Sequence, residues 1–217
     1  MEWSWQRIPS EYLVTNVKLC RQGKLGKRKG FLHVKKGRVE GLGVGNPTAE
    51  GLPVLDGEGL VCAPGFVDLH VNFREPGNEE MESVATGSKA AAAGGFTSVV
   101  TMPNTDPVID NSGMVRYLID RGKEAGLCRV HPTGAVSPGL EGGGMTEFGD
   151  MVAAGAVGFT DDDQPIASGG LMANALKYAG TLGVPIITHA EDRSIVGKGS
   201  MHGGYWSARL GIAGMSR

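Results

Sequence analysis

The sequence predicts an α/β protein: a partial (β/α)8 TIM-like barrel of about five β/α units, preceded by a small N-terminal β-sandwich region. Three observations predict it. From Leu60 onward, short apolar β-rich runs alternate with amphipathic stretches that each close on glycine, the pattern of a sheet covered by helices. The runs are continuously apolar rather than alternating, as expected of parallel strands buried on both faces. Finally, His70, Asn104, Asp162 and His189 each fall at the carboxyl end of a different run. In a barrel those ends converge on the face that does the chemistry; in a doubly wound open sheet, the alternative, they would spread along a line.

Two domains are expected, 1–59 and 60–217. The first reads as β. Residues 12–20 form one strand, and residues 31–34 pass through Lys35-Lys36-Gly37-Arg38 and out by Val39 and Leu42, a hairpin signature. Runs at 60–62 and 66–71 open the second domain. A helix near 79–93 places Met81, Val84, Ala85, Ser88 and Ala92 on one face and ends at Gly94-Gly95, since glycine closes helices without strain. A strand at 97–102 follows. Asp110-Asn111-Ser112 then offers N-caps for a helix carrying Val115, Leu118 and Ile119, stopped by Gly126. Residues 128–130 make the next strand, and Met145, Phe148, Met151 and Val152 form a helical stripe closed by Gly155. A strand at 156–159, a helix from Leu171 to Leu182 closed by Gly183, and a strand at 184–188 complete the series. A whole barrel takes roughly 250 residues, and 210–217 supply no closing element, so the barrel is expected to be incomplete at its C-terminus.

Composition narrows the function classes. Lys plus Arg number 21 against 23 Asp plus Glu, a balance giving no electrostatic reason to expect nucleic acid or an anionic membrane. No segment has the apolar length of a membrane span. The first ten residues contain Trp3 and Trp5 but lack the pattern of a secretory signal. Cys20, Cys62 and Cys128 are odd in number and far apart, which argues against a disulfide scaffold and for a reducing cytoplasm. Gly41-Leu42-Gly43-Val44-Gly45 follows a hairpin and starts no helix, so it is no dinucleotide loop.

On a strand, His70, Asn72 and Arg74 share one face, so an imidazole, an amide and a guanidinium leave the same strand end. Alone, a strand-end histidine is more commonly a hydrogen-bonding residue than a ligand. Asp161-Asp162-Asp163 alone reads as a solvated acidic turn capping the next helix. Company alters both readings. The blocks Pro64-Gly65-Phe66-Val67-Asp68-Leu69-His70, Arg74-Glu75-Pro76-Gly77, Ala91-Ala92-Ala93-Gly94-Gly95-Phe96-Thr97 and Met102-Pro103-Asn104-Thr105 occur in order. They continue through Gly126-Leu127-Cys128-Arg129-Val130, Phe159-Thr160-Asp161-Asp162 and His189-Ala190-Glu191-Asp192. Together they resemble the signature blocks of dihydroorotases, within the amidohydrolase superfamily.

The resemblance implies one or two zinc ions at a barrel mouth, where a metal-bound hydroxide opens the cyclic amide of dihydroorotate. Zinc lowers the pKa of its water and polarises the carbonyl. It further implies His70, Asp162 and His189 as metal ligands, with Arg74 and Asn104 gripping the substrate; an arginine fork suits a carboxylate. Asp162 is favoured over Asp161, although neighbouring residues on a strand face opposite ways. His33, His131 and His202 match no role. The family's second strand-one histidine is Asn72 here, and an amide oxygen is a weak ligand better suited to harder cations. The family's further histidine and its proton-shuttling aspartate are expected beyond residue 217, leaving the catalytic residue unassigned. The protein partners implied are aspartate carbamoyltransferase and a homo-oligomer. Two alternatives stand beside this reading. One is a non-catalytic dihydroorotase-like scaffold for aspartate carbamoyltransferase, favoured by Asn72; the other is an allantoinase- or hydantoinase-like cyclic amidohydrolase.

Overall fold

The computed structural model describes residues 8–45, 47–48 and 51–216. The chain divides into two compact units, Met1–Pro64 and Gly65–Arg217.

The first unit is a five-stranded sheet. Strands β1 (Glu11–Arg21), β2 (Lys24–Lys35), β3 (Arg38–Val44) and β4 (Val54–Asp56) lie in the order β3-β2-β1-β4, and β5 (Val61–Cys62) also pairs with β1. The β1/β2 and β2/β3 pairs are antiparallel, whereas β4 and β5 run parallel to β1. Both hairpins turn on two residues with positive φ, Gln22-Gly23 (48° and 72°) and Lys36-Gly37 (47° and 73°). This is the turn geometry that matches the twist of paired strands. The second hairpin was predicted; the first was not. Residues 24–30 carry Lys24, Lys27, Arg28 and Lys29, so no apolar alternation announces β2 before Phe31.

The second unit places parallel strands side by side in chain order. They are β6 (Phe66–Val71), β7 (Phe96–Thr101) and β8 (Arg129–Pro132). Helices α1 (Val84–Ala93) and α2 (Ser112–Ala125) join them. The next two passes, predicted as strands at 156–159 and 184–188, are reduced to parallel bridges from Phe159 to Gly134 and to Ile186. Proline explains the thin ladder. Pro132 and Pro185 accept hydrogen bonds from Val157 and Phe159 but have no N–H to return. Helices α3 (Phe148–Ala154) and α4 (Gly169–Leu182) precede and follow the Phe159 pass. Beyond them lie α5 (Arg193–Val196), β9 (Met201–His202), α6 (Tyr205–Leu210) and β10 (Gly214–Met215). The β9/β10 pairing, which the sequence did not reveal, uses only two residues on each side.

Helix α1 starts later than its apolar pattern suggested. The Ser83 side chain accepts from the Thr86 N–H while Thr86 Oγ1 accepts from the Ser83 N–H, a capping box that fixes the first turn. Met81 therefore lies outside the helix and is exposed, and the buried face runs through Val84, Gly87 and Ser88 rather than through Ala85 and Ala92. Gly87 is required there, because a Cβ would overlap the ring of Phe73. Helix α2 follows its prediction, capped by Asn111 and ended by Gly126 at φ 66°.

The core of the second unit gathers Val99, Val115, Leu118 and Val130 with Phe148, Met151 and Phe159. Phe148 is fully buried and stacks on Phe159 with centroids 3.7 Å apart, and on Tyr178 at 5.5 Å. One carboxylate is buried close to this core. Glu75 is 2% exposed, and its Oε2 accepts from the Val84 N–H at 2.8 Å. Its Oε1 accepts from Tyr117 Oη at 2.9 Å and from Arg121 Nε at 2.5 Å. Burial by itself pushes this carboxyl up, but the Val84, Arg121 and Tyr117 donors outweigh burial and hold it below the usual carboxylate range.

Two stability outcomes are expected. Phe148→Ala should cost about 3–5 kcal/mol in urea unfolding, whereas Leu127→Ala, at a half-exposed site, should cost under about 0.5 kcal/mol. Because its folded pKa lies below the unfolded one, Glu75 contributes stability above roughly pH 4.3 and loses it as pH falls through the lower folded value. Glu75→Gln should therefore destabilise at pH 7 and progressively less in acid. A gap between wild type and variant that stays constant from pH 7 to about pH 3 would contradict this.

Candidate active site

The ends of the parallel passes meet at one aspartate. His70 sits one residue before the end of β6, Asn104 follows β7 by three residues, and Asp162 follows the Phe159 bridge by three. His70 Nε2 lies 3.0 Å from Asp162 Oδ1, and Asn104 Nδ2 donates to Asp162 Oδ2 at 2.5 Å. Asp162 is 8% exposed, so its carboxylate exchanges most of its water for these two donors. A buried carboxylate demands such partners.

Backbone geometry delivers Asp162 to that point. It adopts φ 51°, in the left-handed region that a non-glycine residue rarely occupies, and its N–H donates to Thr160 Oγ1 at 2.9 Å. Asp161 turns the other way. Its Oδ1 accepts from the N–H groups of Val136 and Ser137 at 2.8 and 3.0 Å, and its Oδ2 accepts from Ser137 Oγ. Asp161 is thus committed to the loop after β8. Asp163 is exposed and accepts from Gln164. Of the three successive aspartates, only Asp162 joins His70 and Asn104.

The remaining sequence candidates lie differently. His189 Nε2 contacts Glu191 Oε2 at 2.9 Å and its side chain is about half exposed; among the described residues no bond links it to Asp162. Asn72 Oδ1 is buried without a hydrogen-bond partner. Arg74 is half-buried, and its side chain makes no hydrogen bond or ion pair among the described residues. His33 pairs with Glu11 at 2.8 Å in the first unit. The three cysteines are free thiols.

The site can be tested against a zinc ion on its own donors. An imidazole and a carboxylate are donors zinc accepts, and His70 and Asp162 already bring one of each together. Asn72 Oδ1 is an acceptor that lacks a donor, a state that costs free energy unless a proton or cation satisfies it, but Asn72 borders a cavity with Phe73, Gly87 and Ala91 and no bond joins it to His70 or Asp162 among the described residues. The donor set fits the ion in kind. It falls short in number, since among the described residues no group of three or more His, Cys, Asp or Glu side chains is placed to hold a metal. Sequence reading overlooked Glu75 and its donors Tyr117 and Arg121. The signal was present: Glu75 directly follows Arg74, and Tyr117 and Arg121 stand four apart on α2, hence on one helix face.

A family model described as dihydro-orotase-like matches residues 59–216. A dihydroorotase from Pelobacter propionicus is 46% identical over 186 residues, which cover 86% of this chain and 44% of that protein. A dihydroorotase from Syntrophotalea carbinolica is 39% identical over 203 residues, covering 94% and 48%. The chain thus spans a little under half the length of these relatives. Among solved structures, an L-hydantoinase from Arthrobacter aurescens superposes with a TM-score of 0.71 at 23% identity, covering 87% of this chain and 42% of that one. A crystal structure of a dihydroorotase superposes with a TM-score of 0.55 at 14% identity, covering 85% and 52%. At such identities these structures speak for a shared fold alone, whereas the sequence matches carry the assignment: the chain belongs to the dihydroorotase-like family.

Proposed function

We propose that this chain is the N-terminal part of a cyclic amidohydrolase that interconverts dihydroorotate and N-carbamoyl-aspartate in pyrimidine biosynthesis. The observation that carries the proposal is the meeting of His70, Asn104 and Asp162 at one buried carboxylate. Three separate sequence blocks, each at the end of a different parallel pass, supply these residues. The five parallel passes form the first part of a (β/α)8 barrel, and the N-terminal sheet belongs to a small β-sandwich. Free thiols accord with a reducing, cytoplasmic setting.

Each residue has a task set by its chemistry. Asp162 and His70 hold zinc, with Asn72 Oδ1 as a weak third donor and His189 available once it leaves Glu191. Bound zinc would supply an acidified water and a polarised amide carbonyl. Asn104 orients Asp162 through one amide N–H and keeps its second N–H and its oxygen for the ligand. Arg74 presents a planar fork to the substrate carboxylate. The low exposure of Asp162 keeps bulk water from competing for it.

A second reading is favoured by Asn72: a dihydroorotase-like scaffold that binds aspartate carbamoyltransferase without turning over substrate. A hydantoinase-like substrate preference has less support. The relatives matched at 39–46% identity are dihydroorotases, whereas the hydantoinase structure speaks for a shared fold alone.

Three experiments test these readings. Asn72→His should tighten zinc binding by about tenfold or more in titration calorimetry; unchanged affinity would remove Asn72 from the ligand set. If the protein hydrolyses dihydroorotate, Asp162→Ala should lower kcat/KM by about 100-fold or more. Co-purification with a carbamoyltransferase, with dihydroorotate left untouched, would establish the scaffold instead.

A further inference from the structure

Glu75 is a buried carboxylate with three donors, and the reading above gives it no task. Phe73 and Glu75 are both buried on the side of α1, where Phe73 meets Gly87 and Glu75 accepts from the Val84 N–H. Arg74 stands between these two anchored residues. There its side chain is half-buried and has no bonding partner among the described residues. Glu75 also spans to α2 through Tyr117 and Arg121. The arginine-bearing loop is therefore tied to two helices by one carboxylate.

That loop is joined in turn to the one that carries Asn104. Gly77, at φ 101°, approaches Asp106 so closely that a Cβ would overlap the Asp106 carbonyl. The Asp106 N–H donates to the Pro76 carbonyl at 3.1 Å, and the Asn78 N–H donates to the Arg74 carbonyl at 2.9 Å. Loops 74–78 and 103–107 thus form one platform, with Glu75 as its anchor to the helices. We propose that Glu75 is a positioning residue: through Val84, Tyr117 and Arg121 it fixes Arg74 for the carboxylate of the ligand, and through Gly77 and Asp106 it sets that arginine in register with Asn104. The inference rests on the reading of Arg74 as the carboxylate grip.

The test compares two cyclic amides that differ by one carboxylate, dihydroorotate and dihydrouracil, by calorimetry on the full chain. Glu75→Gln should weaken dihydroorotate binding about tenfold and leave dihydrouracil within about twofold, because only the carboxylate needs Arg74. Tyr117→Phe keeps the charge and the Arg121 bond and should weaken dihydroorotate about two- to threefold; it also serves should Glu75→Gln fail to fold. Equal weakening of both ligands, or of neither, would overturn the proposal. Should the wild type bind neither ligand, the dihydroorotate reading fails, and amide hydrogen exchange then decides the role of Glu75. Faster exchange in Glu75→Gln confined to 74–78 and 103–107 supports the platform. Acceleration spread through the whole second unit, or none, overturns it.

Discussion

The candidate site depends on two neighbouring aspartates being forced apart. Asp161 is buried and takes three hydrogen bonds from Val136 and Ser137, which fastens the end of the fourth pass to the loop after β8. With Asp161 held there, the next residue turns through the left-handed region and carries its carboxylate the other way. A left-handed non-glycine residue costs of order 1–3 kcal/mol and persists only where its surroundings over-determine it. Here Asp161 and Thr160 do so on the chain side, and His70 and Asn104 on the other. The strain is held at the point where the ends of three parallel passes converge.

The parallel sheet determines which residues can reach that point. Each pass runs the same way as its neighbour, so successive carboxyl ends fall on one side and short loops from distant segments become neighbours. The helices α1 and α2 do more than cover the sheet. Through Glu75 they hold the loop after β6, which carries Arg74, against their own N–H and side-chain donors. The Gly77–Asp106 contact extends that hold to the loop after β7.

Much of this was legible in the sequence, and the rest was hidden for physical reasons. Helix α2 was readable because Asn111 and Gly126 mark its ends by local chemistry. The start of α1 was misjudged because Met81 continues an apolar spacing that the Ser83–Thr86 capping box interrupts. Strand β2 was half missed because its first residues are cationic on an exposed surface. The fourth and fifth passes were placed correctly but read as full strands, since Pro132 and Pro185 thin the ladder in a way composition does not weigh. At the site, His70, Asn104 and Asp162 were each named in advance and lie together. His189 was named too, yet it faces Glu191, a side-chain orientation no spacing rule reports. Glu75 escaped notice because Tyr117 and Arg121 stand 42 and 46 residues away, so their shared helix face was visible but not what it faces.

Asp162 and His70 are proposed as the metal-holding heart of the site. The most direct measurement is a crystal structure of the zinc-soaked protein with data collected at the zinc absorption edge. An anomalous peak within bonding distance of both His70 Nε2 and Asp162, close to the Asn72 amide oxygen, is the result expected. A structure in which zinc settles elsewhere while the His70–Asp162 contact stays closed would contradict the account and leave Asp162 a structural hub.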